Sequence, residues 1–385
     1  RGADLFTTND AFATIVPMQE PIDADTGIPS NDYTRGQAYY DLPIEVDQNG
    51  KLYVGGIDLF VSADDGENWN QISKWTNYGN LNNLSVPLVH TDQHAIVFRP
   101  GSNGNQVVFG NDGGVYYSND ISAASGDPNA IQTRNLDFVT TQFYSGSIDN
   151  ISGLNGDNLA GGTQDNGTQV VVNAAEGANP FIDPLGGDGG YTEIDDIGSQ
   201  YLITTYPYNN HLYYNYPSLS GGYYITTGGP FTQPNGSFIN EGALDKNQNI
   251  LYSNISRGAD RAIERTSNFI NGPDGIVHTN LMNDLLNAFP SALKVSPFTI
   301  SSSTLFAGLR NGRLLKITNA NDGPAWSNIS GSGFIGSISD IEFGQSEQEM
   351  FVTMHNYGVQ SIWYTSDGGA TWRSLEGNLP DLPVK

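Results

Sequence analysis

The chain has 385 residues, 37% apolar and 11% aromatic, which is enough for a sizeable core and argues against disorder as a global state. Its 41 acidic residues against 16 basic ones give a formal charge of −25 with no dense Lys/Arg cluster, which argues against nucleic acid and anionic membrane surfaces as partners. There is no cysteine for disulfide or thiolate chemistry, and no apolar run approaches the roughly 20 residues that span a bilayer, so membrane insertion is not expected.

The chain opens RGADLF, without Met or a signal peptide, and so reads as processed or truncated. From there its 46 Gly and 19 Pro bracket short β-branched and aromatic runs throughout. In chain order these are KLYVGG (51 to 56), HAIVF (94 to 98), QVVFG (106 to 110), QYLITTY (200 to 206), NILYSNI (249 to 255), STLFAGL (303 to 309) and EMFVTMH (349 to 355). The pattern predicts an all-β protein. Helical periodicity is confined to Asp260 to Ser267 and Thr279 to Phe289, short segments predicted to sit on loops.

One octet recurs: SADDGENW at residues 62 to 69 and TSDGGATW at residues 365 to 372. Its pattern, Ser/Thr-x-Asp-x-Gly-x-x-Trp, centres on Asp64 (with Ser62, Gly66, Trp69) and on Asp367 (with Thr365, Gly369, Trp372). A decayed copy, NANDGPAW, puts Asn319, Asn321, Gly323 and Trp326 in the same slots, and weaker echoes lie at Asn9, Asp120, Asn173, Gly228 and Ser267. The intervals of roughly 40 to 56 residues match the period of a four-stranded propeller blade. Physically the octet is a hairpin device. Short oxygens bond backbone N–H groups in the turn, Gly supplies positive φ, and Trp buries its ring. None of these jobs is catalytic.

This octet resembles the Asp-box, or bacterial neuraminidase repeat, and the chain resembles the Asp-box β-propellers: sialidases, the sortilin luminal domain and xyloglucan-degrading glycosidases. It is also similar to large secreted bacterial propeller proteins described as glycosyl hydrolase-like or as carrying a type 9 secretion sorting tail. The stretches that carry the likeness are YVGGIDLFVSADDGENW (53 to 69), VHTDQHAIVFRP (89 to 100), VVFGNDGGVYYS (107 to 118), AGGTQDNGT (160 to 168) with GGDGG (186 to 190), and SDGGATWRSLEGNLPDLPV (366 to 384). The resemblance implies one propeller over residues 17 to 385 with seven four-stranded blades, or eight, and the Asp-box hairpins between outer strands. Residues 1 to 16 then read as outer strands of a partial or ring-closing blade. No sorting tail is visible in the sequence.

The sialidase arrangement of three arginines from separate blades is not matched, because Arg257, Arg261 and Arg265 fall at i, i+4, i+8 and would line one helix face. Glycoside hydrolysis in general needs two facing carboxyl groups, one able to stay protonated. Candidate catalytic acids sit in Gly-rich turns that would let a sugar approach: Asp112 in NDGG, Asp165 in TQDNG and Asp188 in GGDGG. Each has a structural explanation too, since Asp and Asn before Gly are the commonest turn formers. Thr163, Gln164 and Asn166 add amide and hydroxyl groups suited to a glycan. In VHTDQH, a strand over residues 89 to 98 would place His90, Asp92 and His94 on one face, either as a hydrogen-bonded cluster or as transition-metal ligands. The acidic loops DADTG (23 to 27), SADDG (62 to 66) and GGDGG suit structural calcium, and no cofactor is required.

The sequence thus points to a secreted, extracellular all-β propeller that binds a polysaccharide or cell-surface glycan, with tyrosines of the run from Tyr206 to Tyr224 as stacking platforms or as packing between blades. The alternatives are a xyloglucanase-like glycoside hydrolase using two Asp carboxyls, and a scaffold or adhesin module that binds a protein.

Overall fold

A computed structural model describes residues 2–138, 140–149, 157–227 and 235–385. It divides into two compact units, Arg1–Thr140 and Thr141–Lys385. Every named sheet is antiparallel and runs as a meander in chain order, and helical structure among the described residues is limited to four short 3-10 turns. None of the described helices is long and apolar enough to cross a membrane.

The first unit holds a two-stranded hairpin, Phe6–Thr7 with Val16–Pro17, and two four-stranded meanders. One meander runs from Ile44–Val46 to Asn70–Gln71, the other from Gln93–Phe98 to Gln132–Thr133. The second unit holds a three-stranded meander, Ser145–Asp149 to Gly167–Ala174, and four four-stranded ones that begin at Thr192–Ile194, Gly242–Asp245, Pro290–Val295 and Ile338–Phe343. Within this unit the first strands are neighbours. Ser145–Asp149 packs on Thr192–Ile194, and Pro290–Val295 packs on both Gly242–Asp245 and Ile338–Phe343.

The cores lie between consecutive sheets. In strand Leu305–Leu309, Leu305 and Ala307 join Ile263 and Tyr252 of the sheet before, while Phe306 joins Ile341 and Val352 of the sheet after. Side chains of a strand alternate between its two faces, so a strand covered on both sides needs apolar residues at every position. That is why STLFAGL and NILYSNI read as unbroken apolar runs. Leu251 and Tyr252 divide in the same way between the two neighbouring cores.

Neither of the two short helices expected from periodicity forms: the first segment holds strand Ile263–Ser267, and the second starts in strand Val277–Leu281 and continues as turns and irregular chain. Ile263–Ser267 and Val277–Leu281 pair in register, with Ile263 opposite Leu281 and Arg265 opposite Thr279. Burial of Ile263 and Thr266, both β-branched, outweighs the accidental spacing of the arginines. Arg257, Arg261 and Arg265 therefore share no helix face: Arg257 pairs with Asp260 in an isolated bridge, Arg261 lies 4.3 Å over the Phe289 ring, and Arg265 reaches the carbonyl of Ala320 at 3.2 Å.

Both strong octets join the third and fourth strands of a meander with the same hydrogen bonds. The Ser62 hydroxyl donates to Asp64 at 2.8 Å and accepts from the Gly66 N–H at 2.9 Å, while Asp64 accepts from the Asn68 N–H at 2.9 Å. In the second octet Thr365 bonds Asp367 at 2.7 Å and Gly369 N–H at 3.1 Å, and Asp367 takes the Thr371 N–H at 2.9 Å. The indoles of Trp69 and Trp372 donate to the carbonyls of Gln19 and Ile329, at 2.7 and 2.8 Å, just beyond the last strand of the preceding sheet. A third network of this kind closes the first hairpin one residue later than the sequence echo suggests. Asp10, not Asn9, bonds Thr8 at 2.9 Å and the Thr14 N–H at 2.8 Å.

The decayed copy closes differently. Asn321 accepts from the Ser303 N–H at 2.9 Å instead of bridging its own turn, Gly323 keeps a positive φ of 68°, and Trp326 packs at the edge of a core. An amide in place of the carboxylate cannot gather two N–H donors as strongly. Of the weaker echoes, Asp120 caps a 3-10 turn, accepting from Ser122 N–H at 3.1 Å, and Gly228 lies outside the described residues.

Candidate functional site

Two groups of polar side chains gather the residues singled out from the sequence, one in each unit. In the first unit, Val107–Asn111 turns sharply into Gly114–Ser118, with Asn111 opposite Gly114, so Asp112 stands at the hairpin tip. Its carboxylate meets the His94 Nε2 at 2.7 Å and accepts from the Tyr40 hydroxyl at 3.1 Å. The Tyr40 ring meets His94 edge-on at 4.8 Å.

The alternation expected for His90, Asp92 and His94 does not occur, because the strand starts at Gln93 and Asp92 takes a left-handed φ of 62°. That backbone turns the Asp92 carboxylate inward, where it accepts from Gln37 at 3.2 Å and from Thr91 at 3.2 Å. His90 Nδ1 lies 3.2 Å from the Thr91 carbonyl, so the two imidazoles and the carboxylate do not form one ligand face. A carboxylate oxygen of Asp92 lies within 4.8 Å of one of Asp112. Burial and then the charge of Asp112 push Asp92 up from the ordinary carboxyl value.

Asp41, which the sequence does not single out, lies close enough for the charges of Asp92, His94 and Asp112 to act on it. It is fully buried, and neither of its carboxyl oxygens has a hydrogen-bond partner. Burial, followed by the charge of Asp92, pushes its pKa up to about 7. Nothing in GQAYYDLP marks it out, since its burial follows from a turn in which Tyr40 and Asp41 both donate N–H to the Gln37 carbonyl, at 2.7 and 3.2 Å.

In the second unit, Thr163 pairs with Gly167 across the hairpin that carries Gln164, Asp165 and Asn166. The GGDGG segment lies against it, with Gly167 N–H donating to Gly187 O and Gly189 N–H to Thr163 O, both at 2.7 Å. A Cβ on Gly189 would sit 2.3 Å from the Gly167 carbonyl oxygen. These glycines serve the close approach of two backbones, not the approach of a sugar. Asp188 accepts from the Asp165 N–H at 3.1 Å, so the two acidic turns meet. Thr163 is buried and its hydroxyl donates to the Gly167 carbonyl at 2.9 Å, which makes it a positioning residue.

Two phenols flank this pair of turns. Tyr144 donates its hydroxyl to the Gln164 Oε1, and burial, then the charges of Asp165 and Asp188, push its pKa up. The Tyr206 ring lies so close to Gly187 that a Cβ there would come within 3.1 Å of it, and burial, then the charges of Tyr224, Asp183 and Asp188, push its pKa up. Other tyrosines of that run pack inward: Tyr213 stacks on Tyr223 at 5.0 Å, and Tyr216 is buried.

The acidic residues of the loops expected to suit calcium have these protein partners. Arg35 bonds Asp23 at 2.8 Å and Asp25 at 2.9 Å, Asp64 is engaged by its own hairpin, and Asp188 holds Asp165. No model of a known protein family matches the chain, and no curated protein matches it.

Proposed function

We propose that the chain is a secreted β-propeller of the Asp-box kind that binds an extracellular polysaccharide or cell-surface glycan through the surface of Tyr144, Gln164, Asp165, Asn166, Asp188 and Tyr206. The observation that carries this reading is the meeting of two acidic and amide-bearing turns between two phenol rings. Sugars are held by stacking on aromatic faces and by hydrogen bonds from hydroxyls to carboxylate and amide groups, and this surface offers both.

Consecutive meanders, cores between successive sheets and neighbouring first strands support the propeller. The hairpin of residues 6 to 17 stands to Trp69 as the strands before Ile329 stand to Trp372, which supports its reading as the outer part of a preceding blade.

The test is retention of the intact protein on immobilised plant, algal and bacterial polysaccharides, with reducing ends measured in the same samples. Retention without new reducing ends is the outcome this reading predicts. Release of reducing ends that disappears in Asp165→Asn or Asp188→Asn would establish a glycoside hydrolase in its place, and no retention on any polysaccharide would leave a protein-binding module.

A further inference from the structure

Three segments of the second unit meet at one end of its sheets. Residues 255 to 262 link Ile250–Asn254 to Ile263–Ser267, residues 282 to 289 link Val277–Leu281 to Pro290–Val295, and residues 310 to 313 link Leu305–Leu309 to Leu314–Thr318. In an antiparallel meander the second and fourth strands end on the side where the first and third begin, so these links fall together. Contacts hold them there. The Arg310 N–H donates to the Phe289 carbonyl at 3.0 Å, and the Arg313 Nη1 donates to the Leu285 carbonyl at 2.9 Å.

This arrangement gathers two guanidinium groups on one ring. The Cζ of Arg261 lies 4.3 Å from the centre of the Phe289 ring, and that of Arg310 lies 5.2 Å from it. Neighbouring like charges repel unless a counter-charge joins them. Among the described residues neither arginine is in an ion pair, whereas Arg35, Lys246, Lys294 and Lys316 each have a carboxylate partner. With 41 acidic residues against 16 basic ones, that is not for want of carboxylates. Glu241 feels the charge of Arg310, but no ion pair joins the two.

Each guanidinium is anchored through one terminal nitrogen. Arg261 Nη1 donates to the carbonyls of Gly258 and Asp260, at 2.7 and 2.9 Å, and Arg310 Nη2 donates to the Ser237 hydroxyl at 2.9 Å. The other terminal nitrogen of each has no acceptor among the described residues. A guanidinium fixed by stacking and by one anchored nitrogen is pre-organised to offer its remaining donors to an anion.

We propose that Arg261 and Arg310 bind a single tetrahedral oxyanion, a phosphate or sulfate group. The two guanidinium forks come from different segments, and a tetrahedral oxyanion can meet them with different pairs of oxygens, where a carboxylate offers one planar edge. The ligand is one such group and not a polyanion, because the charge of −25 repels a long anionic chain. This site does not depend on glycan binding at the Tyr144 and Tyr206 surface.

The experiment titrates the full chain by calorimetry with inorganic phosphate, with sulfate in a separate arm and acetate as the planar anion, all at constant ionic strength. One of the tetrahedral anions is expected to saturate a single site at least tenfold more tightly than acetate, and the tighter arm names the group. Arg261→Gln and Arg310→Gln should each raise that Kd at least tenfold. Arg134→Gln, at an arginine 5.3 Å over the Tyr117 ring in the first unit, should leave it unchanged. On the wild type alone, the same anion should protect Arg261 and Arg310 from modification by phenylglyoxal, read by peptide mass spectrometry. No saturation by phosphate or sulfate below about 10 mM would overturn the proposal, as would equal binding of acetate or an unchanged Kd in either Arg261→Gln or Arg310→Gln.

Discussion

At Ala11 and Phe12 the backbone takes φ values of 55° and 72°, the left-handed conformation that glycine occupies in the two other hairpins of this design, at Gly66 and Gly369 with φ 83° and 90°. The Thr8 and Asp10 hydrogen bonds hold that turn despite the Cβ atoms. Phe12 is 80% exposed, so little burial is lost with its ring. Phe12→Gly should stabilise the chain by about 0.5–1 kcal/mol in thermal melts, the left-handed penalty outweighing the added freedom of the unfolded state. Gly369→Ala should destabilise by about 1–2 kcal/mol, because its Cβ would also meet Ile329 at 3.0 Å. The Thr371 hydroxyl and N–H hold Asp367 down to about 2. A depressed carboxyl stabilises the fold above its ordinary value and loses that effect as pH falls through about 2, so the stability gap between wild type and Asp367→Ala should close over that acid range.

Strands covered on both faces set the stability of the sheets. Phe306, fully buried between two sheets, has Ile341 and Val352 as core neighbours, and Phe306→Ala should cost about 3–5 kcal/mol by chemical denaturation. Elements of this kind were legible in the sequence, since an unbroken β-branched and aromatic run between glycines is what a strand buried on both faces requires. The seven runs named from the sequence all lie on strands. What misled at this scale was local: three arginines spaced four apart imitated a helix, and only pairing of Ile263–Ser267 with Val277–Leu281 decides against it. The octet hairpins were legible because their chemistry is local. The positions of Asp41 and Tyr144 were not, because they follow from contacts between segments apart in the chain, such as Tyr40 with Asp112 and Tyr144 with Gln164.

Over the whole molecule, the charge of −25 makes polyanions poor ligands and neutral glycans better ones. Raising NaCl from 50 to 500 mM should therefore change binding of a neutral polysaccharide less than about twofold, since no screened attraction is lost. The same excess of acid shapes pH stability. Burial pushes Glu241 up to about 7, opposed by Lys385 and reinforced by Asp340. A raised carboxyl stabilises the fold below its ordinary value and ceases to do so as pH rises through about 7. Relative to Glu241→Gln, the wild type should lose roughly 2 kcal/mol between pH 5 and pH 8.

Whether the surface between Tyr144 and Tyr206 holds a glycan is decided by affinity electrophoresis of wild type, Tyr144→Ala and Asp188→Asn through a gel containing the retaining polysaccharide. Retarded wild type is expected, with Kd raised at least tenfold in both variants while their melting curves stay cooperative. Equal retardation of all three folded proteins would refute a glycan site there and place the ligand elsewhere.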